Sequence, residues 1–277
     1  MLTQAQLKGK IKSLAKNKNA DARTLMRLYM MERFLERISR SPYADDFVIK
    51  GGILVTSMLG IAQRSTMDID TSIRNFNLTE NDALQIVKEI GEINLDDGVT
   101  FEIKHAERIM DDMEYPGIRL AADAISDGMI TPIKIDISTG DAITPRVIEY
   151  QYKLLLEDRS IRLLSYNLET VLGEKLQTIL VRGVLNTRMR DFYDVYTLLL
   201  CYGRDVDIDV FREAFAATCR KRETVGLIHA GQKIIQGIRD DGNLRKLWEA
   251  YCRKYSYVAD ISYEKVMDSI VKLFDLL

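Results

Sequence analysis

The sequence contains few residues of the types that bind zinc or form disulfides. Its 277 residues include two histidines and three widely separated cysteines, with no CxxC pair. This scarcity argues against a zinc site and a disulfide framework, and it is typical of a reducing compartment. The chain also has no apolar run close to the ~18 residues that a membrane span requires. We therefore expect a cytoplasmic protein with no membrane partner.

The chain also lacks an excess of charge of one sign. Its 39 lysines and arginines nearly balance 41 aspartates and glutamates, which gives a formal net charge of -2. A nearly neutral protein has no overall attraction for nucleic acid, so contact with RNA would require a local basic patch. Two candidates are residues 220–222 and the group Arg182, Arg188 and Arg190. Alternatively, both groups are ordinary solvent-exposed charged surfaces that bind no RNA.

The periodicity of apolar residues divides the chain into two parts. Helical patterns cover residues 3–18, 21–39, 52–59 and 79–93, and strand-like runs cover 47–49, 66–73, 100–107, 117–124 and 132–138. From about residue 168 the pattern is helical to the end. The sequence therefore predicts an α+β fold, with a mixed β-sheet in a domain over residues 1–155 and an all-helical domain over 156–277.

Two aspartates stand two residues apart in the segment 64–70, which reads RSTMDID. On a strand, Asp68 and Asp70 would project from one face, while Met67 and Ile69 would pack behind them. Adjacent carboxylates repel each other, and a hard divalent cation such as Mg²⁺ (or Mn²⁺) relieves that repulsion. The alternative is a solvated strand face with two surface acids, because a DxD pattern alone is weak evidence.

A third carboxylate lies in a later strand-like run. In residues 131–138, isoleucines alternate with Lys134, Asp136 and Ser138. If this strand lies beside the DxD strand, Asp136 completes a three-carboxylate cluster, which could hold two metal ions or hold one and deprotonate a hydroxyl. Taken alone, the run would be an ordinary amphipathic strand.

The segment Lys50-Gly51-Gly52 stands between a predicted strand and a predicted helix. Glycines at such a junction let the backbone approach a ligand, and the start of a helix presents N–H groups to phosphate. A tight turn without a ligand is the alternative.

These motifs resemble those of the AbiEii/AbiGii toxins, a nucleotidyltransferase-like family of abortive-infection toxin–antitoxin modules. The similar segments are residues 27–29, 32–35, 41–43, 47–52, 64–70, 134–136, 174–176 and 190–194. The resemblance implies a polymerase-β-like nucleotidyltransferase core, binding of a nucleoside triphosphate (GTP or CTP in some members), toxicity, and a cognate antitoxin. Some relatives add nucleotides to the 3′ end of tRNA.

One departure concerns the superfamily pattern, which has Gly-Ser about ten residues before the DxD. In this chain Gly51 and Gly52 stand further upstream. A phosphate contact by Thr56 or Ser57 is therefore in doubt.

The resemblance also assigns roles in the helical part. It places Lys175 at the triphosphate, where a lysine would neutralise charge on the leaving pyrophosphate, and it makes Asp191 and Asp194 essential. Helical geometry alone leaves other roles open. Lys175 falls at the rim of an apolar stripe and could be a surface lysine, and the two aspartates could complement the helix dipole.

The sequence thus predicts a metal-dependent nucleotidyltransferase that acts on an NTP and an acceptor, foremost the 3′ end of tRNA. The predicted catalytic residues are Asp68, Asp70, Asp136, Lys175 and Asp191, and the first three are the predicted metal ligands. The predicted nucleotide-binding residues are Lys50, Gly51, Gly52, Arg64, Thr66, Lys175 and Asp194. Arg64 could equally pair with an acid.

Three alternatives remain at this point. The acceptor could be a protein or a small molecule, the chain could be a GTP-binding sensor without transfer activity, or its acids could be surface features of an interaction protein.

Overall fold

The computed structural model describes residues 3–74, 78–109 and 117–277. The chain folds into two compact units, the first comprising Met1–Gly140 with Ile148–Ser165, and the second comprising Asp141–Val147 with Tyr166–Leu277. The segment 160–165, which follows the sequence boundary at residue 155, therefore lies in the first unit.

The first unit contains four described helices, and three of them begin with a capping side chain. The four helices are α1 (Gln4–Lys18), α2 (Ala22–Arg40), α3 (Gly51–Leu59) and α4 (Glu80–Gly91). Thr3 and Thr79 form capping boxes with Gln6 and Asp82, and the Asp21 side chain accepts from the backbone N–H of Thr24. Each cap satisfies N–H groups that the first turn of a helix leaves without a partner.

The described strands form one seven-stranded mixed sheet with the order β3-β4-β5-β2-β1-β7-β6. Their bounds are β1 (Phe47–Ile49), β2 (Ile69–Ile73), β3 (Val99–Ile109), β4 (Gly117–Ser126), β5 (Met129–Thr139), β6 (Ile148–Lys153) and β7 (Ser160–Ser165). β2 runs parallel to β5, β1 runs parallel to β7, and the other neighbours are antiparallel. The mixed sheet was predicted from the sequence, whereas the hairpin of β6 and β7 was not.

Helix α2 packs on β5 and β7 and contributes most of its length to the core. The 3.6-residue period of a helix places five apolar residues on the inward side of α2, and all are buried: Leu25, Leu28, Tyr29, Phe34 and Ile38. The charged residues Glu32, Arg33, Glu36 and Arg37 are buried as well.

The expectation for the DxD strand is wrong in one respect. β2 begins only at Ile69, so Asp68 lies in the bend before it. Ile69 is buried as expected, but the Met67 side chain is 39% exposed and does not pack behind the aspartates. The reason is that β2 first pairs with β5 at Ile69 and Ile135, so the residues before Ile69 do not follow strand geometry.

The second unit is helical in all its described regular structure. Its helices are α5 (Leu168–Arg182), α6 (Met189–Tyr202), α7 (Ile208–Lys221), α8 (Leu227–Asp240), α9 (Gly242–Lys254) and α10 (Tyr263–Phe274), with short 3₁₀ helices at Gly183–Leu185 and Ser256–Val258. Asn167 caps α5 by accepting from the Thr170 N–H, and its amide donates to the Thr144 carbonyl at 2.6 Å. That bond ties the segment 141–147 to this unit.

Among the described residues, no helix combines the length and the apolar composition needed to cross a membrane.

Candidate active site

Two predicted carboxylates lie side by side on neighbouring strands. Asp70 of β2 pairs in register with Asp136 of the parallel strand β5. Residues in register on adjacent strands project from the same face of a sheet. The juxtaposition on which the sequence argument depended is therefore present.

The backbone of Gly51 and Gly52 passes directly over Asp70. Gly51 has a φ of +52°, and a Cβ atom there would stand 2.6 Å from Asp70 Oδ2. The Gly52 N–H donates to the same oxygen at 2.7 Å, and a Cβ on Gly52 would stand 2.5 Å from Thr66 Oγ1. Only glycine fits at both positions, because one requires left-handed backbone and both lack room for a side chain. Lys50 is the N-cap residue of α3.

The Asp70 carboxyl group is disfavoured as an anion. Its surface is only partly accessible, and burial among protein atoms is the main cause that raises its pKa. The charge of Asp136 raises the pKa further, while the Gly52 N–H and the charges of Lys50 and Arg64 lower it. A buried carboxyl group beside a second acid is an arrangement that a bound cation would stabilise.

The loop before β2 is held by its own side chains. Thr66 is buried and its hydroxyl donates to the Asp68 carbonyl at 3.3 Å. Asp68 is half-buried, and its charge raises the pKa of Arg119. Thr66 thus supports the loop that carries Asp68.

Arg64 is buried and donates within the protein. Its Nη1 lies 3.0 Å from the Gly52 carbonyl, 3.2 Å from Thr56 Oγ1 and 3.0 Å from the Ser65 carbonyl. These bonds fix the glycine turn against the DxD loop. Thr56 is itself buried, and Ser57 bonds to the Tyr150 hydroxyl.

Arg119 is a residue of this site that the sequence analysis missed. It lies in β4 opposite Asp136. Its Nε donates to Asp136 Oδ1 at 2.8 Å and its Nη2 donates to Oδ2 at 2.7 Å. This two-point bond, and then the charges of Asp136 and Asp68, raise the pKa of Arg119. The available signal was an arginine within an otherwise alternating strand pattern, which does not reveal its partner.

The oxygen donors of this site suit Mg²⁺ or Mn²⁺. Among the described residues, no three His, Cys, Asp or Glu side chains are grouped so that they could hold a metal ion. Mg²⁺, however, is commonly held by one or two carboxylates together with substrate phosphates. Asp68 and Asp70 fit that pattern, while both oxygens of Asp136 bind Arg119. The three-carboxylate metal site stays a prediction.

The second unit contains a separate buried cluster of charges. Lys175 Nζ of α5 donates to Asp191 Oδ1 at 3.0 Å and to Asp194 Oδ2 at 2.6 Å, both on α6. All three residues are buried, so the alternative of a surface lysine is wrong. Arg188 Nε forms an ion pair with Asp191 Oδ2 at 2.9 Å. The acidic pair therefore binds cations of the protein rather than only facing a helix dipole.

The two candidate basic patches, residues 220–222 and the group Arg182, Arg188 and Arg190, differ in how strongly their arginines are bonded to the rest of the protein. Arg222 donates to Glu174 at 2.8 Å and to Gln177 at 2.7 Å, so it is not available as part of a free patch. Arg182 and Arg188 are exposed. Arg190 is half-buried and reaches the Tyr255 hydroxyl at 3.5 Å.

Comparison with solved structures identifies the fold. A structure described as "putative nucleotidyltransferase from H. pylori" has 16% sequence identity and a TM-score of 0.51, over 91% of this chain and 92% of that chain. JHP933 from Helicobacter pylori has 16% identity and a TM-score of 0.51, over 91% of this chain and 89% of that chain. No curated protein matches the sequence. These similarities confirm the predicted α+β fold with a mixed sheet and a C-terminal helical part.

The family comparison covers most of the chain. The model of the family described as "Nucleotidyl transferase AbiEii toxin, Type IV TA system" matches residues 33–269. This match confirms the resemblance found in the motifs, and a toxin of such a system implies a cognate antitoxin. The chain is thus a nucleotidyltransferase that belongs to the AbiEii toxin family of type IV toxin–antitoxin systems.

Proposed function

We propose that this toxin transfers a nucleoside monophosphate from an NTP, GTP or CTP foremost, to a hydroxyl at the 3′ end of tRNA in the presence of Mg²⁺ or Mn²⁺. The observation that carries the proposal is the row formed by Asp70 and Asp136 in register on parallel strands, with the Gly51-Gly52 turn against Asp70. A nucleotide added to the 3′ end of tRNA blocks the hydroxyl that accepts the amino acid, and this would account for toxicity.

We assign binding of the triphosphate to the turn at Gly51 and Gly52, and binding of its metal ion to Asp68 and Asp70. The start of α3 combines a close backbone approach at Gly51 and Gly52 with the positive charge of Lys50. Both features favour the binding of an anion. Mg²⁺ held by Asp68 and Asp70 would neutralise phosphate charge and polarise the phosphorus–oxygen bonds.

The acceptor side belongs to Asp136. We assign it to orient the acceptor hydroxyl and receive its proton, as the hydroxyl oxygen bonds to the α-phosphorus and the bond from that phosphorus to pyrophosphate breaks. Its place beside Asp70 on the neighbouring strand supports this role. The pairing with Arg119 means that the carboxylate must first be released.

Lys175 is proposed to bind the triphosphate, as the family resemblance implies. Asp191 and Asp194 hold its ammonium group from two sides, which limits its rotamers. A lysine fixed in this way can neutralise charge that develops on pyrophosphate without first losing side-chain entropy. We assign the aspartates to positioning the lysine and place Asp194 at the edge of the nucleotide site.

Two alternatives differ from this proposal in the acceptor: one uses a different acceptor, and the other uses none. The acceptor could be a protein or a small-molecule hydroxyl, which uses the same strand residues. A GTP sensor without transfer activity would bind nucleotide through Lys50, Gly51 and Gly52 but would have no need of Asp136.

The test is transfer of label from NTPs that carry it at the α-phosphate. Each of the four NTPs is incubated with the purified full chain and Mg²⁺ or Mn²⁺, either with total tRNA or with the protein alone. The Asp68→Asn/Asp70→Asn variant, which lacks both proposed metal ligands, is the negative control. An Asp45→Asn variant changes an exposed acid of the same unit, paired with Arg162, and serves as the matched control.

We expect label on tRNA with wild type and Asp45→Asn, and none with the double variant. Label on the protein would indicate that the acceptor is a protein hydroxyl and not tRNA. Bound nucleotide without transfer to any acceptor would contradict the proposal and favour the sensor.

A further inference from the structure

Arg119, Asp136 and Asp70 form one row across three neighbouring strands. Arg119 of β4 is in register with Asp136 of β5, and Asp136 is in register with Asp70 of β2. Residues in register on adjacent strands share a face, so the row presents one positive and two negative groups in sequence.

The guanidinium group engages both oxygens of Asp136, at 2.8 and 2.7 Å. A fork-to-fork arrangement of this kind is among the stronger ion pairs, because two charge-assisted hydrogen bonds fix its geometry. Each oxygen of Asp136 therefore already has a cationic partner. A divalent cation or an acceptor hydroxyl that approaches Asp136 must compete with that partner.

The Arg119 side chain is able to leave without disturbing the core. It is 32% exposed, against 17% for Asp136, so its charge keeps part of its contact with water when the pair opens. The charge of Asp68 also acts on Arg119. Arg119 thus supplies positive charge to the same group of acids that a divalent cation would neutralise.

We propose that Arg119 is a positioning residue that occupies Asp136 and competes with a divalent cation for it. While Arg119 is bound, Asp136 is neutralised and held against β4. When a cation binds one oxygen of Asp136 and displaces Arg119, the other oxygen becomes available to the acceptor hydroxyl. The inference rests on the proposed function, because it needs a cation site at these carboxylates.

The experiment measures Mn²⁺ binding to the full chain without nucleotide, from the electron paramagnetic resonance signal of free Mn²⁺. It compares wild type with Arg119→Gln, Arg119→Lys, Arg119→Gln/Asp136→Asn and Arg162→Gln. Arg162 is the matched control because it is also a strand arginine that forms ion pairs, here with Asp45 and Glu149, and its strand β7 is separated from β2 by β1.

We expect Arg119→Gln to bind Mn²⁺ about tenfold more tightly than wild type, since an adjacent opposite charge changes the charge balance of a carboxylate by an amount of this order. Arg119→Lys keeps the charge but loses the second bond, so its affinity should fall between the two. The gain should vanish in Arg119→Gln/Asp136→Asn, and Arg162→Gln should bind as wild type does.

Thermal unfolding provides a second readout. In EDTA, Arg119→Gln should melt below wild type because Asp70 and Asp136 then repel each other, and Mn²⁺ should raise its melting temperature more than that of wild type. Equal Mn²⁺ affinity of wild type, Arg119→Gln and Arg119→Lys would overturn this inference and leave the proposed function intact. Absence of Mn²⁺ binding in every variant would also overturn this inference, and the transfer assay with labelled NTPs would then decide the proposed function separately.

Discussion

The first unit contains two groups of buried and half-buried charged residues, and the groups differ in how the charge of their acids is compensated. Along α2, Glu36 receives two bonds of 2.8 Å from Arg159, and Arg37 makes a two-point bond to Asp97. Burial opposes ionisation of Glu36 and Asp97, but the arginine hydrogen bonds and charges outweigh it, so the pKa of both acids is lowered.

At Asp70, which lies beside Asp136 on the neighbouring strand, the effect of burial exceeds the effect of the hydrogen bonds and opposite charges. Asp70 accepts one bond from the Gly52 N–H, and burial, aided by the charge of Asp136, raises its pKa. The difference lies in the partner: arginines that donate to Glu36 and Asp97 outweigh the effect of burial, whereas one backbone N–H does not outweigh it at Asp70.

One member of α2 departs from its neighbours. Glu32 is buried, accepts from the Leu155 N–H at 2.9 Å, and interacts with the buried Tyr152 hydroxyl. Burial raises its pKa to about 8. Glu32 therefore acts as a neutral hydrogen-bonding group within a charged network.

The largest effect should follow from Asp70→Asn. Transfer of nucleotide should fall by a factor of about 10³ or more, because charge stabilisation at the phosphates is lost, which corresponds to roughly 4 kcal/mol. The free energy of unfolding should not fall, since a disfavoured buried charge is removed. Asp97→Asn should show the opposite pattern, with lost stability and retained transfer. A large loss of stability in Asp70→Asn would break the comparison.

The next largest effect concerns the paired network. Arg37→Met should lower the free energy of unfolding by about 3 kcal/mol, because it leaves the Asp97 carboxylate, which is only 11% exposed, without its arginine partner. Replacing both residues, in Arg37→Met/Asp97→Leu, should recover much of this loss. Denaturant unfolding measures both, and transfer per folded molecule should stay at the wild-type level in each. Failure of the double variant to recover would show that the pair is not the cause.

The glycine turn gives a third test. Gly51 and Gly60 both have positive φ values, +52° and +84°, but only Gly51 has protein atoms close to where a Cβ would stand. Gly60→Ala should cost about 2 kcal/mol from backbone strain alone, because φ +84° with ψ 151° is a conformation that essentially only glycine adopts. Gly51→Ala should cost about 3 kcal/mol through the added contact with Asp70, and should also abolish most transfer. Equal stabilities of the two variants would show that Asp70 moves aside without cost.

The smallest effect is a change with pH at Glu32. Its folded pKa of about 8 lies above the ordinary 4.5. Its contribution to stability is therefore present below pH 4.5 and is lost as the pH rises to about 8. The stability of Glu32→Gln relative to wild type should increase by roughly 2–3 kcal/mol from pH 6 to pH 8.

Glu36→Gln is the matched control for this pH series. The pKa of Glu36 is lowered, so its contribution is present above the ordinary pKa and is lost as the pH falls. Urea unfolding should show the Glu32 effect between pH 6 and pH 8, whereas the Glu36 effect has the opposite sign and falls below about pH 4.5. Parallel profiles would contradict the distinction between Glu32 and Glu36.

The sequence predicted the elements of the site better than the contacts between them. Alternation placed Asp70 and Asp136 on the correct kind of element, but the partner strand and its register depend on the whole sheet. Arg119 could not be assigned for that reason, because its bond to Asp136 joins residues 17 positions apart on separate strands. The burial of Lys175 likewise depends on how α6 packs against α5.

Helix periodicity has a similar limit in α2. It identified the apolar face, but it carries no information on what covers the rest of the helix. Glu36 is buried because Arg159, more than a hundred positions away, reaches it from the segment before β7. The β6–β7 hairpin was missed because its residues Ile148–Lys153 are mostly polar, as suits an edge strand.

The central claim is that the strand row of Asp70 and Asp136 is the metal-dependent catalytic centre. The most direct test is anomalous diffraction from crystals of the full chain grown with Mn²⁺ and a non-hydrolysable NTP. We predict a manganese peak in contact with Asp70, with Arg119 displaced from Asp136. A fully occupied nucleotide with no manganese at Asp70, and with Arg119 still bound to Asp136, would contradict the account.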